Sequence, residues 1–245
     1  MSPKNSVSMR DVAMLAQVSV GTVSNVLNSP DRVSDTTRRR VEQAIEKLGW
    51  VPNESARQLR AGRSRSIGMV VMDIANPFFT DVARGAEELL YAEQYSVQIG
   101  NSDSNAEREQ TLLERFEQQR VGGILFAPIN DSTERVLRLR QRGIPVVIVD
   151  RVGAGGTFCS VAVDDVLGGR IAVEHLAEQG HTRVAVIGGP ESIGQVRERL
   201  EGAKEIWSEL GLPADDLVYL PTAALTVAEG RSAGERLAGL PARRP

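Results

Sequence analysis

The sequence predicts an α/β protein: a small three-helix unit in front, then a doubly wound parallel sheet filling the rest of the 245 residues. Three observations predict it. Helix caps and helical apolar spacing recur through residues 8–48. After Ser66 the pattern changes to short apolar strands alternating with amphipathic helices, the pattern of a parallel sheet covered on both faces. The charge changes sign at the same place. Through Ser66 there are 11 Lys and Arg against 6 Asp and Glu, a net of +5, whereas the remainder has 18 against 26, a net of −8.

In the front unit, Ser8-Met9-Arg10-Asp11 has the spacing of a capping box, a hydroxyl at the N-cap and a carboxylate further along the first turn. Val12, Leu15 and Ala16 then fall on one helical face. Gln17-Val18 breaks the run, and Ser19 can cap a second helix whose apolar face is Val23, Val26 and Leu27. Helices this short bury little alone, and a third is expected over 35–48, capped by Ser34, with Val41, Ile45 and Leu48 in register. A trihelical unit with a short second helix is the helix-turn-helix arrangement, in which that helix enters the major groove. Its outward positions here, Val20, Gly21, Thr22, Ser24 and Asn25, are small or polar. An ordinary helical hairpin in a core is the competing reading, and the agreement of caps, turn and third helix argues against it.

The basic front suits a phosphate-facing module and the acidic remainder does not, so nucleic-acid contact is expected at the front alone. Cys159 is the single cysteine, so no intrachain disulfide forms. The start, MSPKNSVSMRD, has no apolar h-region, and no run approaches the length of a membrane span. A cytoplasmic protein without membrane contact is expected.

Gly49 suits the left-handed position that ends the third helix. Residues 54–60, ESARQLR, have the length of one or two helical turns, too short to hold alone in water. Residues 61–66 form a basic linker. Strands are then predicted at 67–72, 97–100, 123–128, 146–150, 160–163, 184–188 and 217–220. Helices fit between them at 77–93, 106–120, 132–141, 165–179, 194–210 and 226–238. In such folds ligands bind at the carboxyl ends of strands. The sequence closes in LPARRP, a loop where the alternation calls for another strand, and so reads as cut short.

These residues resemble the LacI/GalR family of bacterial repressors. The resemblance rests on DVAMLAQVSVGTVSNVLN, VSDTTRRRVEQAIEKLGWVPN and SARQLRAG in the front, and on DIANPFF, GGILFAP, VVIVDR, VAVDDVLGGRIAVEHLAEQGH, RVAVIGG and RERLEG behind. It implies a DNA-binding domain at 1–53, a hinge helix and linker at 54–66, and an effector-binding and dimerisation domain at 67–245. The last would resemble a periplasmic binding protein, two α/β lobes with a small molecule between them, here incomplete at its C-terminus.

Under the resemblance, Val20, Gly21 and Asn25 fall where the family's recognition helix reads bases, and Thr22, Ser24 and Asn28 where phosphates or the helix frame are held. Asn25 stands where the family most often has Arg, and Asn suits adenine where Arg suits guanine, so an altered half-site is expected. Gln17 stands where Gly is usual; a left-handed residue with a side chain costs ~1 kcal/mol there. Ser55, Ala56, Arg57, Leu59 and Arg60 match the hinge helix, with Leu59 at the leucine that wedges into the minor groove. A linker leucine packing on its own domain, and solvated charge for Arg57 and Arg60, are the plainer readings. For the effector, the resemblance points to Asn76, Phe78 and Phe79 after the first strand, Asp150 and Arg151 after the fourth, and Arg199 in RERLEG. One of the two phenylalanines is expected to cover the core, Asp150 and Arg151 suit an interlobe ion pair equally well, and Asp165 is expected as a helix N-cap. The partners implied are a near-palindromic double-stranded operator, a sugar- or nucleoside-like effector and a second copy of the chain, with no cofactor.

An enzyme on a doubly wound sheet is the main reading from another class. No G-x-G-x-x-G or P-loop follows a strand, nothing places His175 or His181 beside Cys159 or a serine, and no metal-ligand spacing appears. A solute-binding protein is disfavoured by the front 62 residues. A fragment with weak, effector-insensitive DNA binding is the remaining alternative.

Overall fold

The computed structural model describes residues 7–51, 64–130, 133–152 and 158–239. Tertiary contacts divide the chain into two compact units, Met1–Arg63 and Ser64–Pro245. No helix among the described residues is long and apolar enough to cross a membrane.

The front unit holds α1 (Met9–Ala16), α2 (Val20–Asn28) and α3 (Asp35–Leu48). Local chemistry sets their ends. The Asp11 carboxylate takes the N–H and the hydroxyl of Ser8, at 2.8 and 2.7 Å, and these bonds hold its carboxyl below the usual carboxylate range. The Ser19 and Ser34 hydroxyls accept the N–H groups of Thr22 and Thr37, at 3.0 and 3.4 Å. Gln17 ends α1 in the left-handed region (φ 52°, ψ 48°), and Gly49 does the same for α3. The core is Val12, Ala13, Ala16, Val23, Val26, Val41, Ala44 and Trp50. Leu15, expected in that core, is 42% exposed. The buried stripe of α1 is centred between Val12, Ala13 and Ala16, which leaves Leu15 at its edge.

The second unit begins with β1 (Ser66–Val71), α4 (Pro77–Ala92), β2 (Ser96–Asn101), α5 (Ala106–Gln118), β3 (Gly123–Phe126), α6 (Thr133–Gln141), β4 (Val146–Val149) and β5 (Ser160–Val161). All five strands are parallel, in the order β2-β1-β3-β4-β5. Met69 pairs with Ile99 on one side and Leu125 on the other. Alternate strand residues feed two cores: Val70, Ile124, Phe126 and Ile148 on one face, and Met69, Val71 and Val149, joined by Phe79 of α4, on the other. β5 is shorter than expected. Val161 and Val163 are exposed as the chain leaves the sheet for the next helix.

The second lobe comprises α7 (Asp165–Glu178), β6 (Val184–Gly188), α8 (Gly194–Glu209), β7 (Leu217–Pro221) and α9 (Val227–Ala238), with β6 and β7 forming a parallel pair. Asp164, not Asp165, caps α7, its side chain accepting the Leu167 N–H at 2.8 Å. The indole N–H of the buried Trp207 donates to the Pro213 carbonyl at 2.8 Å. α7 and α8 meet backbone to backbone. A Cβ on Gly169 would stand 1.9 Å from the Arg199 carbonyl oxygen, and one on Gly202 1.9 Å from that of Val166.

This crossing makes a sharp stability prediction. Gly169→Ala or Gly202→Ala is expected to destabilise the chain by about 2–3 kcal/mol in urea unfolding, because backbone must move. Gly168→Ala, with nothing within 4 Å of its Cβ, is expected to be neutral or to stabilise by up to about 1 kcal/mol through helix propensity.

Candidate DNA-reading helix and ligand cleft

On α2 the side chains divide into two sets. Thr22 shares a hydrogen bond with the Ser19 hydroxyl at 2.9 Å. Asn28 donates to the Ser24 carbonyl at 2.8 Å and to its hydroxyl at 3.3 Å. Thr22, Ser24 and Asn28 therefore bond within the helix and its cap. Val20, Gly21 and Asn25 are exposed on its outer surface. The hinge residues Ser55, Ala56, Arg57, Leu59 and Arg60 lie outside the described residues.

The sheet order reverses between β1 and β3, because the chain crosses from β1 to β2 on one side and then returns past β1 to β3 on the other, and a crevice opens there at the strands' carboxyl ends. A cleft of about 350 Å³ lies there. The first lobe lines it with Met72, Asp73, Asn76 and Phe79 after β1, Asp103 and Ser104 after β2, and Ile129 after β3. The second lobe lines it with Pro190, Ser192 and Ile193 after β6, and with residues 223–226 after β7. Its walls are built rather than loose. The buried Glu109 carboxylate accepts the Ile129 N–H at 2.9 Å and pairs with Arg135, fixing the loop that leaves β3. Asp103 and Ser104 both adopt positive φ, 55° and 52°, and the Ser104 N–H donates to the Met72 carbonyl at 3.0 Å. In the second lobe the Tyr219 hydroxyl donates to the Gly189 carbonyl at 2.6 Å, and the Thr222 N–H to that of Gly188 at 2.8 Å.

Of the residues expected at the effector, Asn76 and Phe79 line this cleft. Asn76 also caps α4, accepting the Phe78 N–H at 3.0 Å. Phe79 is the core-covering member of its pair, 2% exposed. Phe78 packs edge-on against it at 5.1 Å and is not among the lining residues.

Asp150, Arg151 and Arg199 lie instead at a polar bridge between the lobes. The Gln195 amide on α8 donates to the Asp150 carbonyl at 2.7 Å and to its carboxylate at 2.8 Å. Arg199, one turn on, pairs with the buried Asp165 at 2.6 Å. Arg151 reaches the start of α8, its Nη2 standing 3.2 Å from where a Gly194 Cβ would be. Asp150 is buried and left-handed (φ 62°). Burial first, then the neighbouring Asp165 charge, raise its pKa from 3.8 to about 6, against the opposing effect of the Gln195 hydrogen bond. Sequence reasoning missed Gln195, Asp73, Asp103, Ser104, Ile129, Ser192 and Thr226. The strand-end rule, applied at every strand, points to most of the cleft residues.

The raised pKa has a signed consequence. The native Asp150 carboxyl takes its proton near pH 6, an unfolded one near 3.8. Its charge therefore works against the folded form, a penalty that is full above pH 6 and is lost progressively as pH falls from 6 to 3.8. Asp150→Asn keeps the acceptor for Gln195 and tolerates the left-handed backbone. The variant is expected to melt above the wild type at about pH 7.5, to keep roughly half of that advantage at about pH 5, and to melt with it only below the unfolded-state pKa of 3.8. An advantage equal at both pH values, in a thermal-melt series, would refute the assignment.

Known proteins match both units. Residues 8–53 match the model of bacterial regulatory proteins of the lacI family. Residues 64–237 match that of periplasmic binding proteins and the sugar-binding domain of the LacI family. Catabolite control protein A of Priestia megaterium is 34% identical over 233 residues, 94% of this chain and 70% of that protein. The ribose operon repressor of Escherichia coli K12 is 34% identical over 210 residues, 85% of this chain and 64% of that protein. The chain thus spans about two thirds of the length of these relatives. A crystal structure of the Lac repressor dimer bound to operator and an anti-inducer superposes with a TM-score of 0.75 at 28% identity, covering 87% of this chain and 65% of that one. On these matches, which run through both units, the chain belongs to the LacI family of bacterial regulatory proteins.

Proposed function

We propose that this chain is a sequence-specific DNA-binding transcriptional repressor whose hold on its operator is set by a small molecule, a sugar or related metabolite, bound between the two lobes. The observation that carries the reading is one chain with both parts: a capped helix with an exposed reading face, and a cleft built from strand ends of two lobes.

In this reading two copies, related by a two-fold axis, set their α2 helices in successive major grooves of a near-palindromic site. Val20, Gly21 and Asn25 meet base edges, with Asn25 suited to the N6 and N7 of adenine. Ser55, Ala56, Arg57, Leu59 and Arg60 form the hinge helix, where Leu59 enters the minor groove and the arginines meet phosphates. Effector binding changes the lobe arrangement, and with it the pairing of the hinges. The coupling equals the difference in effector affinity between the two arrangements, and operator and effector feel it reciprocally.

Footprinting on the DNA upstream of the chain's own gene tests the reading, and protection of a symmetric site is expected. Asn25→Ala is expected to cost about 1–3 kcal/mol there and to relax preference at one base pair of each half-site. Leu59→Ala is expected to weaken binding and reduce bending in a circular-permutation gel assay. Protection at no salt concentration, or unchanged affinity and bending in the leucine variant, would count against the proposal.

A further inference from the structure

We infer that the bridge between β4 and α8 is a proton-operated latch, which draws the two lobes together more firmly in mild acid. Its grip comes from one residue of each lobe. Asp150 ends β4, and both its carbonyl and its carboxylate accept from the Gln195 amide of α8, at 2.7 and 2.8 Å. That grip survives protonation, because the backbone carbonyl is untouched and a neutral carboxyl keeps an acceptor oxygen.

The proton changes the balance of charge around the bridge. Asp150 is 8% exposed. From α7 it faces the buried Asp165 and from α8 Glu198, both of like charge, and also Arg199, which offsets them while bound to Asp165 at 2.6 Å. Next along the chain, Arg151 extends to Gly194 at the start of α8. Beside Asp150 in the sheet, β5 brings Ser160 and Val161 and no charge. Burial, then the Asp165 charge, raise the Asp150 carboxyl to about 6. Asp165, Gln195, Glu198 and Arg199 all belong to the second lobe, so parting of the lobes removes them together and admits water. The carboxyl then returns toward its ordinary 3.8. A group that holds its proton more tightly in the closed arrangement favours that arrangement as pH falls through 6, until both arrangements are protonated below 3.8. Between about pH 7.5 and about pH 5 the closed-to-open ratio rises about tenfold.

Double electron–electron resonance on the ligand-free 245-residue chain tests this, with spin labels at Glu107→Cys in the first lobe and Ala228→Cys in the second, in a Cys159→Ser background. Both positions are exposed and lie close in sequence to cleft-lining residues of their lobes. The short-distance population is expected to grow about tenfold relative to the long one from about pH 7.5 to about pH 5. Asp150→Asn is neutral at every pH and keeps both acceptors for Gln195, and it is expected to give the acid distribution throughout. Gln195→Ala is expected to deplete the short population at both pH values. Asp165→Asn removes a like charge, and it is expected to move the transition to lower pH. It is the variant read if Asp150→Asn fails to fold by circular dichroism. Distances that do not respond to pH in the parent chain would overturn the inference. So would a pH response that persists in Asp150→Asn, a short population unchanged in Gln195→Ala, or a transition unmoved in Asp165→Asn. The measurement uses neither DNA nor effector, so its outcome is independent of the regulator reading.

Discussion

The close crossing of α7 and α8 is the constraint on which the second unit depends. Gly169 and Gly202 let each helix touch the other's carbonyl oxygens, at a separation no side chain permits. The phases of the two helices then fix what else meets. Asp165 lies one turn before Gly169 on α7, and Gln195, Arg199 and Gly202 share a face of α8 at i, i+4 and i+7. The same approach that brings the backbones together therefore sets Arg199 on Asp165 and aims Gln195 at Asp150. A buried carboxylate that loses its partner is costly, so the ion pair is tolerable only because the crossing holds it.

The bridge and the cleft are separate places with a common mechanical role. At the bridge, α8 grips the end of β4 through Gln195. At the cleft, the ends of β1, β2 and β3 face those of β6 and β7 across open space. On the proposed reading, a molecule bonded to both lobes there would add its bonds to those of the bridge. It shifts the lobe arrangement only by the bonds it makes in one arrangement and not in the other. That places a demand on shape as well as chemistry, since a ligand confined to one lobe exerts no such bias.

Most elements were legible in the sequence because local and global signals agree in them. Apolar runs such as SIGMVV, GILF and VVIV can satisfy themselves only as strands buried on both faces, and side-chain caps announce α2, α3 and α4. Where phase decides, the sequence is silent. Leu15 satisfies helical spacing as well as Ala13 does, and the packing partner chooses. Asp164 and Asp165 are chemically equal candidates for a cap, and only the position of Arg199 draws the second inward. Gly168 and Gly169 are adjacent and identical, yet one faces open space and the other a carbonyl oxygen. The cleft was legible in part. Asn76 and Phe79 follow a strand in an evident motif, whereas Asp73, Asp103, Ile129 and Ser192 converge from separate loops whose meeting is a property of the sheet order.

The front unit separates two jobs that a nucleic-acid-binding surface must do. α2 carries no charged residue at all. Its hydroxyls and Asn28 bond within the helix and its cap, so the segment presents a defined surface rather than a mobile one. What that surface offers is an apolar side chain at Val20, bare backbone at Gly21 and one amide at Asn25, groups that distinguish base edges without attracting phosphate. The positive charge lies elsewhere. Arg39 and Arg40 are exposed on α3, while Arg38 is tied to Asp35 at 2.8 Å. On a duplex, the salt-dependent part of the affinity would then come from flanking arginines and the discriminating part from uncharged contacts. On the proposed reading, Asn25 in place of Arg changes sequence preference and also takes one positive charge away from the surface that approaches DNA, which leaves the salt-dependent attraction to the flanking arginines.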